Sequence, residues 1–193
     1  VATVETLFAA RGLAPLFRFT PLADPAVEAL LRGRGWREED PSVGMVADFD
    51  AVPAAPASGV RLSRRLEPDW IDGAMAAYGM GARGAASLAR MLPNIAPAHV
   101  YATVEEGGVA LGWGLAVVER GHVGLYDLVI AEAARGRGFG GRMIGALLGW
   151  AGAQGARRAC LQVRETNAGA RALYRRLGFR DAYRYTQLRG PTG

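Results

Sequence analysis

The sequence predicts a mixed α/β fold, and two features of the chain carry that prediction. From Val60 onward, stretches with strand and helix periodicity follow one another in the order β-α-α-β-β-β-α-β-α-β, which is typical of a mixed sheet with helices packed on it. A glycine-rich stretch at residues 135–141 stands between an apolar strand and an apolar helix. We therefore expect an α/β domain with a backbone-lined loop where that strand passes into that helix.

The elements of this domain follow from local residue patterns, taken here in chain order. Apolar alternation predicts strands, apolar residues at helical spacing predict helices, and glycine or proline marks their ends. The predicted strands are Val60–Arg65, Ala98–Glu105, Val109–Glu119, His122–Ile130, Ala159–Arg164 and Ala182–Leu188. The predicted helices are Pro68–Tyr78, Gly84–Leu92, Gly138–Gln154 and Ala168–Leu177. The turn Glu106-Gly107-Gly108 joins the second and third strands as a hairpin.

Composition limits the classes of protein to which this chain can belong. Half of its 193 residues are hydrophobic, no apolar run is long enough to cross a membrane, and no signal peptide is visible. Its net charge of +5 comes from 23 arginines, which are dispersed except after Arg135. A lone cysteine, Cys160, excludes an internal disulfide framework and is expected as a small buried residue. The histidines, His99 and His122, are too few for a metal site. We expect a cytoplasmic, bacterial, monomeric or homodimeric protein without metal, nucleic-acid or membrane partners.

The glycine-rich stretch has the features of a phosphate-binding site. Glycines between a strand end and a helix start leave backbone N–H groups open on one side, and the helix N-terminus adds partial positive charge. Three arginines stand around this loop: Arg135, Arg137 and Arg142. The ligand expected here carries a phosphate or a pyrophosphate.

One interpretation of this loop is a dinucleotide fingerprint. Gly136, Gly138 and Gly141 satisfy the spacing G-x-G-x-x-G, and Glu165 ends the next predicted strand, where an acid could bind a ribose. Five residues, Ala131–Arg135, separate the strand from the first glycine, however, whereas that motif needs a tight turn. This interpretation would make the protein an oxidoreductase that binds a nicotinamide dinucleotide.

The same residues fit a second pattern in another frame. Arg135-x-x-Gly138-x-Gly140 resembles the (Arg/Gln)-x-x-Gly-x-(Gly/Ala) signature of the GNAT superfamily of acyl-CoA N-acyltransferases. Downstream, Asn167-x-x-Ala170-x-x-Leu173-Tyr174 followed by Leu177-Gly178-Phe179 is similar to the family's second signature. The resemblance is sharp over residues 125–180 and follows the element order from Val60 to Leu188. It implies the GNAT fold, whose central, mostly antiparallel sheet splays between the fourth and fifth strands of this domain.

The resemblance also implies how the chain would bind acetyl-CoA as its cosubstrate. Backbone N–H groups of the loop would hold the pyrophosphate, and the strand that ends at Ile130 would run beside the pantetheine arm like an added strand. A backbone N–H near Leu128 or Val129 would polarise the thioester carbonyl. The residues implied in coenzyme binding are Leu128, Val129, Ile130, Arg135, Gly136, Arg137, Gly138, Phe139, Gly140, Gly141, Asn167 and Tyr174. Asn167 also stands at a helix N-cap position, so capping alone would explain it.

The catalytic residues implied are Tyr174 and Asp127. Tyr174 matches the family's general acid, which protonates the departing thiolate, and a phenol with a pKa near 10 stays protonated at neutral pH. Tyr174 also belongs to an apolar stripe at helical spacing and could simply be core. Asp127 lies among apolar residues, where burial would raise its pKa and suit it as a base, or it is a strand-end acid bonded to nearby backbone. Glu119, His122 and Glu105 are further candidate bases.

The reaction implied is transfer of an acetyl group from acetyl-CoA to a primary amine by direct attack. A catalytically silent module that binds acyl-CoA is the alternative that keeps the fold. The acceptor is not determined by the sequence: an antibiotic, a polyamine, an amino acid and a protein N-terminus all remain open. Residues of the two helices before Ala98 could line an acceptor pocket, although such residues are more often core. These candidates are Trp70, Met75, Tyr78 and, on a strand, Trp113.

The first fifty residues form a separate segment with a faint internal repeat. Residues 51–59, rich in alanine and proline, read as a linker, so we predict domains at 1–50 and 60–193. A strand, Leu16–Thr20, a helix, Pro25–Arg32, and a strand, Val43–Phe49, are predicted in front. At an offset of 143, six residues match: Ala10, Gly12, Ala29, Leu30, Gly35 and Arg37 fall on Ala153, Gly155, Ala172, Leu173, Gly178 and Arg180. We hypothesise that residues 1–50 are a degenerate GNAT-like half with a structural role, because Leu31 falls where Tyr174 stands.

Overall fold

The computed structural model describes residues 1–51, 58–80 and 82–191. Its helices in these ranges are α1 Ala2–Ala9, α2 Pro25–Gly33, α3 Trp70–Tyr78, α4 Ala82–Met91, α5 Phe139–Ala153 and α6 Ala168–Arg176. Its strands are β1 Leu16–Phe19, β2 Arg37–Asp48, β3 Val60–Ser63, β4 Ala98–Glu106, β5 Val109–Glu119, β6 His122–Ile130, β7 Arg158–Arg164 and β8 Arg180–Arg189. Short 3-10 helices lie at Phe49–Ala51, Leu92–Asn94 and Glu132–Ala134. Most of the predicted linker 51–59 lies outside the described residues.

The eight strands form one mixed sheet in the order β1-β8-β2-β7-β6-β5-β4-β3. Neighbours from β3 to β6 are antiparallel, as are β1 and β8, whereas β6 and β7 are parallel. The mixed α/β class is therefore confirmed, with the strand–helix–strand unit expected in residues 1–50 also present. Its two strands, β1 and β2, are members of this sheet.

Most element bounds agree with the predicted ones to within two residues, and β2 is the main departure. This strand begins at Arg37, six residues before the predicted Val43. The first four additional residues, Arg37 to Asp40, are charged, and Pro41 and Ser42 follow. This stretch has no apolar alternation, so periodicity could not reveal it. Ion pairs hold it instead, because Arg32 and Arg184 both donate to Glu38 and lower its pKa to about 2.

The chain divides into two compact units. One unit comprises Val1–Met45, Gln162–Arg171 and Asp181–Gly193, and the other comprises Val46–Leu161 and Ala172–Arg180. The predicted domains 1–50 and 60–193 follow chain order, whereas these units follow spatial contact, so the domain assignment stays a prediction. The larger unit contains the glycine loop, Asp127 and Tyr174.

The larger unit has a core in which helix α3 packs on the sheet through aromatic rings. Trp70 is fully buried, donates its indole N–H to the carbonyl of Ala102, and lies edge-on to Tyr101 with ring centroids 5.3 Å apart. Gly73 lies so close to the Trp113 ring that a Cβ there would be 2.3 Å from Cζ2. A glycine at this position thus lets α3 sit directly on the Trp113 ring.

The smaller unit has its own core around helix α2. Phe19, Leu31, Trp36 and Leu188 are its buried members. Phe17 lies edge-on to Trp36 at 5.5 Å between ring centroids. Burial of each such large side chain contributes roughly 1.5–3 kcal/mol to stability. None of the helices in the described ranges is long and apolar enough to cross a membrane.

Candidate active site

The predicted phosphate loop turns through two glycines with left-handed backbone. Gly136 has φ 76° and Gly138, the N-cap of α5, has φ 82°. A Cβ at either position would meet no atom within 4 Å, so the glycines are required by conformation and the space beside them is open. The first N–H groups of α5 have no acceptor within the helix. The loop therefore presents backbone donors and the positive end of a helix dipole to an open space.

All three loop arginines contact protein groups, and two of them, Arg135 and Arg137, precede α5. Arg135 donates from Nε to the carbonyl of Ile130 at 3.2 Å. Arg137 donates from Nη2 to the Glu106 carboxylate at 2.5 Å, and its guanidinium lies 4.9 Å from the ring centroid of Phe139. Both arginines are exposed. Arg137 thus reaches the loop as predicted, with part of its charge balanced by a carboxylate of the β4–β5 hairpin.

The third arginine, Arg142, lies on the first turn of α5. Its guanidinium is 4.3 Å from the centroid of the Phe139 ring, which is buried at 1% exposure. Its Nη1 donates to the carbonyl of Ser58 at 3.3 Å. Phe139 therefore serves as the surface on which two arginines are supported, and its side chain is closed off from solvent.

The sheet opens beside this loop, between the fourth and fifth strands of the predicted 60–193 domain. Strands β6 and β7 pair only at His122–Gly124 with Arg158–Cys160, although both strands are described in full. From Leu125 to Ile130, β6 does not pair with β7. This edge of β6 is therefore without a strand neighbour, although the Ile130 carbonyl accepts a hydrogen bond from Arg135, and pairing with a pantetheine arm stays a prediction.

A β-bulge interrupts β6 on its other side, where it pairs with β5. Trp113 lies opposite Val129 and Leu115 lies opposite Tyr126, so Gly114 alone faces two residues of β6. One of these is Asp127, whose φ is 50°, a left-handed conformation that is rare outside glycine. A bulge takes backbone groups out of the ladder, and this one lies where a carbonyl-polarising N–H was predicted.

Three titratable side chains are relevant to this region: Asp127 in the bulge, Tyr174 on α6 and Tyr78 at the end of α3. None of them has a hydrogen-bond partner among the described residues. Burial raises the pKa of Asp127 above its ordinary 3.8 and raises that of Tyr174 to about 12. Burial also raises the pKa of Tyr78, with smaller contributions from the charges of Asp127 and Tyr174. Tyr78, which had been considered only for an acceptor pocket, is therefore within electrostatic range of both predicted catalytic residues.

Tyr174 is at once a core residue and one of these three titratable residues. Only 7% of its surface is exposed, and its ring centroid lies 6.0 Å from that of Phe179. Its neighbour Leu173 packs against α5, since a Cβ on Gly140 would lie 3.0 Å from Leu173 Cδ2. Gly140 thus lets α6 approach the start of α5. The pKa near 10 assumed from the sequence was too low, because burial disfavours the phenolate.

Asn167 is the N-cap of α6. Its Oδ1 accepts a hydrogen bond from the Ala170 N–H at 3.1 Å. The capping explanation is therefore confirmed, and contact with a coenzyme stays a prediction. Gly141, the remaining loop residue, lies in the first turn of α5 with only the tip of Leu173 nearby.

The other candidate bases lie apart from Asp127. Glu119 keeps 65% of its side chain exposed at the far end of β5. His122 begins β6, five residues or roughly 16 Å along the strand from Asp127. Glu105 is paired with Arg61 at 2.8 Å. Among the described residues, Asp127 is thus the carboxylate whose charge contributes to the raised pKa of Tyr78.

Cys160 and the histidines supply no further chemistry. Cys160 is half-buried, and burial raises the pKa of its thiol, which keeps it protonated and unreactive. In the described ranges, no group of three or more His, Cys, Asp or Glu side chains could hold a metal ion.

An open cleft of about 450 Å³ lies at the C-terminal end of α3. Of the four aromatic and methionine candidates for an acceptor pocket, Trp70 and Met75 are core, whereas Tyr78 and Trp113 reach the cleft. Its lining residues are Gly73, Ala76, Ala77, Tyr78, Gly79, Trp113, Ala131, Glu132 and Arg135. The cleft therefore extends from Tyr78 to Arg135, the first arginine of the glycine loop.

Comparisons with known proteins identify this arrangement. A family profile described as "Acetyltransferase (GNAT) family" matches residues 68–179, so the chain belongs to the GNAT acetyltransferase family. A curated relative, "Uncharacterized N-acetyltransferase YobR" of Bacillus subtilis (strain 168), is 24% identical over 179 residues, which span 91% of this chain and 72% of the relative.

Solved structures share the fold. A GCN5-related N-acetyltransferase from Kribbella flavida is similar with a TM-score of 0.72 at 18% identity, over 100% of this chain and 74% of that one. A tandem GNAT protein from the clavulanic acid biosynthesis pathway is similar with a TM-score of 0.69 at 18% identity, over 100% of this chain and 68% of that one. At these identities the structures support the fold alone.

The dinucleotide interpretation is not supported. The 3-10 helix Glu132–Ala134 stands between β6 and the first glycine, so the tight turn of that motif is absent. The glycine loop belongs to the GNAT signature.

Proposed function

We propose that this protein is an N-acetyltransferase that moves the acetyl group of acetyl-CoA to a primary amine by direct attack. One observation supports the proposal. The open glycine loop at the start of α5 follows β6 after one short 3-10 helix, and β6 carries Asp127 in the bulge beside a stretch that does not pair with β7. A proton-exchanging group, an extended edge and a phosphate site thus follow one another along one stretch of chain.

The residues present fit an acyl-CoA. The open space beside Gly136 and Gly138 would admit a pyrophosphate to the backbone donors of the loop and of Phe139, Gly140 and Gly141. The exposed arginines, Arg135 and Arg137, would add charge. The edge of β6 at Leu128, Val129 and Ile130 would bind the pantetheine arm, and Asn167 would contact the coenzyme. When bound, acetyl-CoA supplies an acetyl group activated as a thioester.

Tyr174 would act on the sulfur. With a pKa near 12, its hydroxyl stays protonated over the whole working range of pH and can donate a hydrogen bond to the sulfur as the C–S bond breaks. Complete transfer to a thiolate of pKa near 8.5 is unfavourable, so Tyr174 must be reprotonated at once, by the proton that Asp127 takes from the attacking amine. Tyr174 would therefore relay a proton instead of releasing one to solvent.

Asp127 would manage the proton of the amine. As the N–C bond forms, the nitrogen gains positive charge and must lose a proton. Burial raises the pKa of Asp127 and makes it a stronger base than an exposed aspartate. A backbone N–H released by the bulge would polarise the carbonyl during this step. Atoms balance: the amide and the free thiol of the coenzyme are the products.

The proposal is tested by incubating the purified protein with acetyl-CoA and a panel of primary amines while released thiol is trapped with a chromogenic disulfide. We expect thiol release that depends on both substrates and the mass increase of an acetyl group on the amine. Calorimetric binding of acetyl-CoA without turnover on any amine would instead favour the silent binding module. Stabilisation by NADH and not by acetyl-CoA would contradict the proposal.

A further inference from the structure

We propose that Tyr78 positions the acceptor amine, and that the cleft beside it receives the apolar body of a small primary amine. This inference rests on the proposed function and adds to it a class of acceptor and a positioning residue. It stands on the place of Tyr78 in the fold, on its neighbours, and on the lining of the cleft.

Tyr78 lies at the end of a helix, and its side chain is partly exposed to solvent. It is the last residue of α3, which ends through the left-handed C-cap Gly79 at φ 68°. Tyr78 keeps 41% of its surface exposed and makes no hydrogen bond to the described residues. The position of the backbone is thus fixed, while the hydroxyl has no partner that would compete with a ligand.

The neighbours of Tyr78 are the groups that would carry out proton transfer. Asp127 and Tyr174 each contribute to the raised pKa of Tyr78, so the three groups interact electrostatically. Burial is the larger cause of that rise. Since the hydroxyl stays neutral at all working pH values, Tyr78 would not serve as a base. Its role would be to accept a hydrogen bond from the amine N–H while Asp127 takes the proton lost from nitrogen.

The cleft is shaped by small residues on α3. Gly73, Ala76, Ala77 and Gly79 leave room above the ring of Trp113, which α3 contacts closely at Gly73. A volume of about 450 Å³ falls within the range of small-molecule pockets. An aromatic floor and alanine walls suit an apolar or aromatic body.

The charges of the cleft argue against a polycation. Among the lining residues, Glu132 is the carboxylate and Arg135 is the cation, so they offset each other at one end. A spermidine-like acceptor would require several carboxylates along its length. The cleft therefore favours a monoamine with an apolar body, such as an arylalkylamine.

The inference is tested with phenethylamine as the probe and spermidine as the comparison. The variants are Tyr78→Phe, which removes only the hydroxyl, and Ala76→Phe, which fills the cleft from an exposed helix position. Tyr101→Phe is the control, because it removes a hydroxyl from a buried tyrosine that does not line the cleft and that donates to the Leu92 carbonyl at 3.5 Å. Thermal unfolding checks that each variant folds.

We expect the wild-type protein to bind phenethylamine by calorimetry in the presence of coenzyme A, and to acetylate it with a lower KM than spermidine. Loss of one hydrogen bond in Tyr78→Phe should raise the KM for phenethylamine roughly three- to tenfold with a small change in kcat. Ala76→Phe should abolish phenethylamine binding. All three variants should bind acetyl-CoA with wild-type Kd.

Two outcomes overturn this inference alone: the wild-type protein binds acetyl-CoA but not phenethylamine, or Tyr78→Phe behaves like Tyr101→Phe. A preference for spermidine over phenethylamine also overturns it. Failure of the wild-type protein to bind acetyl-CoA would overturn the proposed function itself. The calorimetric titration of acetyl-CoA therefore separates the two failures.

Discussion

Two strand–helix–strand segments of this molecule, β1–α2–β2 and β7–α6–β8, have the same local structure with different chemistry. Residues 143 positions apart correspond. After the helices, Gly35 and Gly178 adopt φ 81° and 86°. The N–H of Trp36 donates to Leu31 at 3.1 Å, and that of Phe179 donates to Tyr174 at 3.0 Å.

The correspondence extends to the starts of both segments. Asp24 caps α2 through the Ala26 N–H at 2.9 Å, as Asn167 caps α6. Further upstream, Gly12 and Gly155 end the preceding helices with φ 62° and 86°. This agreement in backbone geometry supports the hypothesis that residues 1–50 are a degenerate GNAT-like half.

The difference between the two segments distinguishes the residues that folding alone explains from the residue proposed to act in catalysis. Caps, left-handed glycines and buried rings occur in both segments, so folding alone explains them. The hydroxyl of Tyr174 occurs in one segment only, because fully buried Leu31 holds the corresponding position in the other. The cap made by Asn167 is thus a feature that both segments share, whereas the hydroxyl of Tyr174, to which the proposed mechanism assigns a role, is not.

The largest expected effect is the loss of kcat when Tyr174 is replaced. Tyr174→Phe should lower kcat by roughly 10²–10³-fold, in the range of general acid–base catalysis. The free energy of unfolding should change by about 1 kcal/mol or less, since no protein hydrogen bond is lost. Thiol-release kinetics and urea unfolding measure the two quantities. A wild-type kcat in this variant would mean that the Tyr174 hydroxyl has no catalytic role and that the residue is structural.

Leu31, its counterpart, should show the opposite behaviour. Leu31→Ala leaves a cavity in the core of Phe19, Trp36 and Leu188 and should lower the free energy of unfolding by roughly 2–5 kcal/mol. At a temperature where the variant stays folded, kcat should remain within about twofold of wild type, a margin of about 0.4 kcal/mol. A large loss of kcat in the folded variant would mean that the segment β1–α2–β2 is not purely structural.

Asp127 should show a trade between stability and activity. Its raised pKa means that its charge disfavours the folded state above the folded pKa, and that this cost vanishes below the unfolded pKa. Asp127→Asn should therefore raise the melting temperature at pH 7, and the gain should disappear as the pH falls below about 4. kcat should fall by roughly 10²-fold at pH 7. A lowered melting temperature at pH 7 would show that the carboxylate is stabilised in the fold.

The smallest effects are expected at the helix caps. Asp24→Ala and Asn167→Ala should each lower the free energy of unfolding by about 1 kcal/mol. Asn167→Ala should in addition raise the KM for acetyl-CoA, whereas Asp24→Ala should not. Equal KM values in the two variants would restrict Asn167 to its capping role.

The sequence predicted the order of elements because burial imposes periodic patterns on strands and helices. The glycine loop and Tyr174 were predictable because their residue types and spacing are specific. The start of β2 was not, because residues such as Glu38 join the sheet through arginines distant in sequence. The bulge at Asp127 depends on its register with β5, which a single strand does not encode. The electrostatic interaction of Tyr78 with Asp127 depends on how Gly73 seats α3 on Trp113.

The central claim, that the turn before α5 binds the diphosphate of acetyl-CoA, is tested most directly by calorimetry on a matched pair of glycine variants. Gly138→Ala and Gly35→Ala place a Cβ at left-handed positions, φ 82° and 81°, at a similar cost of about 1–2 kcal/mol each. The account predicts that acetyl-CoA binds wild type and Gly35→Ala with equal Kd and binds Gly138→Ala at least about tenfold more weakly, a loss of about 1.4 kcal/mol. Absence of binding to wild type, or the same Kd for all three proteins, would contradict it.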